Sequence, residues 1–208
     1  MSDPPPPPPP PRVLVLYEDQ RRDGDGQRFG LHALVQRCVL DRCSELSYRD
    51  LDARLEGRPV KGNNKLLKKC QTELPTLRRT FNSVIAVYDH DRAHRVVNLR
   101  GDTCMTALRQ ALKRGCEPAG DLRVVFVREN TESVLEALRE GSLLTTVTAE
   151  SWRNAIERKD LNDRDLILLA AAKAAATTAR EDLVARVPSF DYVIGRVVLG
   201  LFPPSPNE

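Results

Sequence analysis

The sequence predicts an α/β protein: a mainly parallel sheet flanked by helices, with a C-terminal helical extension. Three short apolar runs carry that reading, ending VLVLY at Tyr17, VIAVY at Tyr88 and VVFV at Val127. Runs so short and so rich in Val, Leu and Ile are strands buried on both faces. Between them apolar residues recur near helical period, and strands alternating with helices pair in parallel.

The first strand covers 12–17. Phe29, Leu31, Leu34, Val35, Cys38 and Val39 follow at helical spacing and make a helix with one buried stripe. A second strand is expected over 45–51, then a turn at Gly62, Asn63 and Asn64. The next helix runs through Leu67, Cys70, Leu74 and Leu77, with Pro75 expected to kink or split it. The central strand is 83–88, a helix over 103–114 presents Met105, Leu108 and Leu112 on one side, and 122–127 is the next strand, completing a βαβαβαβ unit. Beyond Val127 the pattern is helical. Helices are expected over 131–140, capped by Thr131 or Asn130, and over 149–159 around Trp152 and Ile156. A long one follows over 163–187 through the Ala-rich run LILLAAAKAAA. Pro188 ends it, and Phe190, Val193, Ile194, Val197, Val198 and Leu201 form a last amphipathic helix. The organisation is thus a tail at 1–11, an α/β domain at 12–140, a helical extension at 141–202 packed on it, and a tail at 203–208. The prolines from Pro4 to Pro11 lack backbone donors and favour a stiff polyproline II rod, a disordered spacer or else a ligand for an aromatic groove.

Composition removes several function classes. The net charge of +3 is spread over 208 residues, so no strong basic field advertises nucleic acid, and a nuclease would need a local groove. No stretch is apolar and long enough to span a bilayer, and the amino terminus does not read as a signal peptide, so a cytoplasmic protein with no membrane partner is expected. The five cysteines are odd in number and lack CxxC spacing, which argues for reduced thiols against a disulfide framework or a zinc site. No GxGxxG or GxxxxGK[ST] follows a strand, which disfavours nucleotide-dependent dehydrogenases and kinases.

Acidic residues close two of the apolar runs: Glu18 the first, Asp89 and Asp91 the central one. Ligands of open α/β sheets gather outside the carboxyl ends of the strands. Carboxylates converging there suggest a hard cation such as Mg²⁺, commonly shared with substrate phosphates, although a single strand-end carboxylate also caps helices or faces water. His90 and His94, one helical turn apart, are candidates for a transition metal or a base, with solvated histidines as the plain alternative. Lys65, Lys68, Lys69, Arg78 and Arg79 form the densest basic run, a solvated helix face or a track for a phosphate backbone. The DGDG segment from Asp23 to Gly26 lacks the ligand series of a calcium loop and reads as a flexible turn.

A glutamate ending the first strand and a DxD ending a later one resemble the Toprim domain of topoisomerases, primases and overcoming-lysogenization-defect nucleases. The resemblance covers roughly 12–138 and is greatest to small stand-alone Toprim proteins of bacterial defence systems. It implies a Toprim/Rossmann-like sheet. It also implies that Glu18 takes the family's glutamate role, that Asp89 and Asp91 hold Mg²⁺ or Mn²⁺, and that Glu129, Glu132 and Lys173 match the further acidic groups and lysine of the nuclease branch. Family members commonly carry Gly after the glutamate; here Asp19 follows, and Gly24 and Gly26 come later, so the loop has a different shape. Glu18 and Asp19 also resemble the acidic pair of a receiver domain, but Asp89 lies too far along the chain to be its phosphorylated aspartate.

The expected function is Mg²⁺- or Mn²⁺-dependent hydrolysis of DNA or RNA phosphodiesters in a bacterial defence system. Glu18 would position a metal or act as general base, Asp89 and Asp91 would be ligands, Glu132 would support a second ion, and Lys173 would offset charge in the transition state. The alternative is a non-catalytic Toprim-like module that binds a partner ATPase or nucleic acid. A homodimer through the last helix is a further expectation.

Overall fold

Along the central strands, side chains alternate between two apolar rows, so each strand buries both faces and needs a helical layer on either side. The computed structural model describes residues 9–19, 30–99, 104–117, 122–127, 131–141, 144–174 and 177–204. Its strands are β1 (Val13–Asp19), β2 (Leu55–Lys61), β3 (Ser83–Asp89) and β4 (Leu122–Val127). They form one sheet in the order β2-β1-β3-β4, parallel at every pairing.

The row Val13, Val15, Tyr17, Ile85, Val87 and Val125 builds one core. It packs against α1 (Gly30–Arg42), α6 (Thr131–Glu140), α8 (Leu161–Lys173) and α10 (Pro188–Leu201), and α2 (Tyr48–Arg54), α7 (Ala149–Ile156) and α9 (Thr177–Arg186) add Leu51, Trp152 and Leu183. The opposite row, Leu14, Leu16, Val84, Ala86, Tyr88, Val124 and Phe126, builds a second core. There it meets α3 (Asn63–Leu77), α4 (His90–Val96) and α5 (Met105–Lys113). The C-terminal helices are therefore the second wall of the first core. Gly30 marks how closely they pack: a Cβ there would stand 2.9 Å from the Asp165 carbonyl oxygen, and the Gly30 amide donates to Asp165 Oδ1 at 3.1 Å. Among the described residues no helix is long and apolar enough to cross a membrane.

Three expectations change. The segment expected as a strand over 45–51 instead leads into α2, because Ser47 accepts a hydrogen bond from the Asp50 amide at 3.1 Å and caps that helix. The strand is the next stretch, β2, whose Gly57 and Pro59 obscured it; Pro is tolerated because β2 is an edge strand. Pro75 does not split α3, which runs through it to Leu77. The helix expected over 163–187 is two helices. Ala174 leaves the helix at ψ 132, and the buried Arg180 guanidinium donates to its carbonyl and forks onto Asp41 of α1.

Candidate active site

The helix that follows β1 packs on one face of the sheet and the helices that follow β3 pack on the other. Strand order reverses between β1 and β3, and a crevice opens at their carboxyl ends, the position where open parallel sheets take their ligands. Glu18 and Asp89 stand there. The register pairs Tyr17 with Val87, so the two acids end neighbouring strands at one edge. Pleat alternation brings them in from opposite faces: Glu18 continues the Leu14 and Leu16 row, and Asp89 continues the Ile85 and Val87 row.

Both line a cleft of about 120 Å³. Its apolar floor includes Tyr17, Val35, Val87, Phe190 and Val193, and Glu132, Arg92, Lys159 and Arg164 add charge to its walls. Asp89 Oδ2 lies 3.8 Å from Arg92 Nε, a loose pair because the arginine side chain is 62% exposed. The Asp89 carbonyl accepts from Asn63 Nδ2 at 3.1 Å. Asn63 itself is 4% exposed, and its Oδ1 is buried with no hydrogen-bond partner among the described residues. Asp91 lies in the first turn of α4, and its side chain is outside the described residues.

Glu132 occupies the first turn of α6, where the helix dipole favours an anion. Its Oε1 accepts from Arg164 Nη2 at 2.6 Å and from Lys159 Nζ at 3.0 Å. Burial pushes its carboxyl up, but the hydrogen bonds from Arg164 and Lys159 outweigh that and hold it below the ordinary carboxylate value of 4.5. Arg164 is 8% exposed and is fixed by a second bond, Nε to the Ala155 carbonyl at 2.8 Å. Lys159 has φ +58, a conformation few non-glycine residues adopt, in the short link between α7 and α8. Below the floor, Tyr17 Oη lies 3.2 Å from His32 Nδ1. Burial pushes His32 down to about 4, against the opposing effects of its backbone bond at Leu55 and the charges of Asp52 and Glu56.

The structure thus brings together Glu18, Asp89 and Glu132 of the expected site residues. Lys173 is exposed at the far end of α8, nine residues or about 13 Å of helix from Arg164, and it does not line the cleft. Glu129 and the Asp23 to Gly26 turn lie outside the described residues. His90 and His94 meet edge to face at 5.1 Å, and His90 also meets Phe126 at 5.9 Å. Among the described residues no three His, Cys, Asp or Glu side chains gather as a metal group. The residues that sequence spacing missed are Arg92, Lys159 and Arg164, each delivered to the cleft by a different segment, with Asn63 behind them on the Asp89 carbonyl. All five cysteines are free thiols, four of them buried.

Fold and site define an α/β protein with a mixed acidic and basic cleft at the switch point of a parallel sheet. No protein-family model, curated protein or solved structure matches the chain.

Proposed function

We infer that this chain is a Toprim-type nuclease that hydrolyses DNA or RNA phosphodiesters with Mg²⁺ or Mn²⁺. One observation carries the reading: Glu18 and Asp89 end adjacent parallel strands at the reversal of strand order and line one cleft. The donor set fits a hard cation, because Glu18 and Asp89 offer carboxylate oxygens in one cleft, and behind them Asn63, bonded to the Asp89 backbone, carries a buried Oδ1 with no partner among the described residues. Glu18, Asp89 and Asp91 are the proposed ligands. Bound there, the ion would acidify an attacking water and offset charge on the leaving oxygen.

The chain's own groups do the rest. Glu18 accepts the proton of the attacking water. Arg92 and Lys159, whose side chains are 62% and 53% exposed, can turn from their carboxylates to phosphate oxygens. Lys159 therefore takes the charge-offsetting part first expected of Lys173. Arg164 holds Glu132 in place, and Glu132 would support a second ion only after Lys159 has moved to the phosphate. A setting in bacterial defence with a partner ATPase belongs to the same proposal and rests on the Toprim resemblance alone.

A second reading, a non-catalytic module binding a partner ATPase or nucleic acid, draws on the ion pairs that already balance Asp89 and Glu132 without a metal. Cleavage assays separate the two. On single- and double-stranded DNA and RNA with Mg²⁺ or Mn²⁺, wild type should cut, and Glu18→Gln should cut at least about a hundredfold more slowly with substrate binding little changed. Wild type that never exceeds the Glu18→Gln background on any substrate supports the interaction module.

A further inference from the structure

We propose that the β4 edge of the sheet, with α5, forms a nucleic-acid backbone contact made by Arg109, Lys113 and Arg123, leading a strand to the carboxyl-edge cleft. The proposal deepens the nuclease reading by giving its substrate a path, and it stands on different residues.

β4 is an edge strand, and α5 covers it with Leu108 and Leu112 in the core. Arg109 and Lys113 lie one turn apart on the same side of α5, and exposed Arg123 belongs to the Val125 row of β4, close enough across the strand edge to repel Lys113. Among the described residues none of the three makes an ion pair, whereas Arg92 and Arg164 at the cleft do. Burial holds the Lys113 amine below its ordinary value, and repulsion from Arg123 and Arg109 adds to that. Gathering like charges without counterions works against the folded state, and the arrangement is relieved when an anion binds.

Arg109 is also aimed. Its guanidinium lies over the Phe126 ring at 5.4 Å, and the same ring meets His90 at 5.9 Å, directly after Asp89. The cations therefore continue, through Phe126, to the end of β3 where Asp89 and Arg92 line the cleft. A ligand that satisfies several cations in a row and also presents a phosphate at the cleft must carry regularly repeated negative charge. A nucleic-acid backbone does so, with one charge every ~3.4 Å of axis per strand in duplex DNA.

The test is fluorescence anisotropy with a labelled oligonucleotide of about 20 residues, single-stranded and as a duplex, in EDTA so that no cutting occurs. Arg109→Gln/Lys113→Gln/Arg123→Gln is compared with wild type, and circular dichroism checks folding. Wild type should bind at low salt, and the triple variant at least about tenfold more weakly, with the slope of log affinity against log salt smaller by about two to three. Lys113→Gln alone should unfold at the same temperature as wild type or higher, because repulsion is relieved. Equal binding by the triple variant, no binding by wild type at low salt, or equally tight binding of an oligoglutamate of the same charge would overturn the proposal. Because metal is absent, a failure of cleavage leaves this result standing, and a failure here leaves the cleft's chemistry to its own assay.

Discussion

The two faces of the sheet are built from the same strands but treat polar groups in opposite ways. On the face covered by α1, α6, α8 and α10, buried polar groups have partners: Tyr17 with His32, Arg164 with Glu132 and the Ala155 carbonyl, Arg180 with Asp41. On the α3 and α5 face, the Tyr88 hydroxyl meets a thiol, Cys70 Sγ, at 4.0 Å, and Cys116 Sγ lies 3.7 Å from the Leu112 carbonyl. Burial, reinforced by the neighbouring Cys116, pushes the Cys70 thiol up to about 12 despite the Tyr88 hydroxyl, and there it is inert. Buried charge is costly unless it is paired, so a fold keeps it where it shapes something. Here the first face walls the cleft with paired charges, whereas the interior of the other is held by apolar side chains and thiols, with Asn63 its buried amide.

The largest break in that contrast should come from Arg164→Ala, which strips Glu132 and the Ala155 carbonyl of a donor at once. It should lower stability by about 3 kcal/mol in urea unfolding. A loss under about 1 kcal/mol would mean that the pair is no more than a surface bridge. Next is Gly57→Ala. A Cβ there would stand 2.2 Å from His32 Nδ1, so overpacking should cost about 2 kcal/mol. The double variant with His32→Ala should recover part of that loss; strict additivity would place the clash elsewhere.

Acid should act on the charged face as well. His32 is neutral when folded, with its value depressed from 6.5 to about 4, so the unfolded chain binds the proton first. The stability it contributes is full above pH 6.5 and is lost as pH falls towards 4. Glu132, also depressed, adds a further loss below its ordinary value of 4.5. Melting curves across this range should flatten in His32→Gln between pH 6.5 and 4.5; an unchanged slope would assign the acid sensitivity to other groups. The smallest effect compares the tyrosines. Tyr17→Phe should cost about 1 kcal/mol for its lost bond to His32, and Tyr88→Phe about 0.5 kcal/mol or less. The reverse order would erase the distinction between the faces.

Much of this was legible in the sequence, for identifiable reasons. β1, β3 and β4 are buried on both faces and announce themselves as continuous apolar runs, and β4 runs from Leu122 to Val127 as expected. Glu18 and Asp89 were legible because they end such runs. β2 was not: at the sheet edge it carries Glu56, Gly57, Arg58 and Pro59, residues that a central strand would reject. The break after Lys173 was hidden because Ala-rich sequence favours helix, whereas the Arg180 contacts to the Ala174 carbonyl and to Asp41 on another helix arise only in the folded chain. The cations of the cleft were illegible for the same reason. Arg92, Lys159 and Arg164 carry no spacing signal, and only tertiary packing brings them to the carboxylates.

We propose that the crevice between β1 and β3 binds a hard divalent ion through Glu18, Asp89 and Asp91. Calorimetric titration with Mn²⁺ tests it most directly, comparing wild type with Asp89→Asn/Asp91→Asn. Wild type should bind Mn²⁺, and the double variant should lose that binding while unfolding at the same or a slightly higher temperature, since clustered carboxylates repel when no ion is present. Unchanged affinity in the double variant would contradict the account and move the metal away from this edge of the sheet.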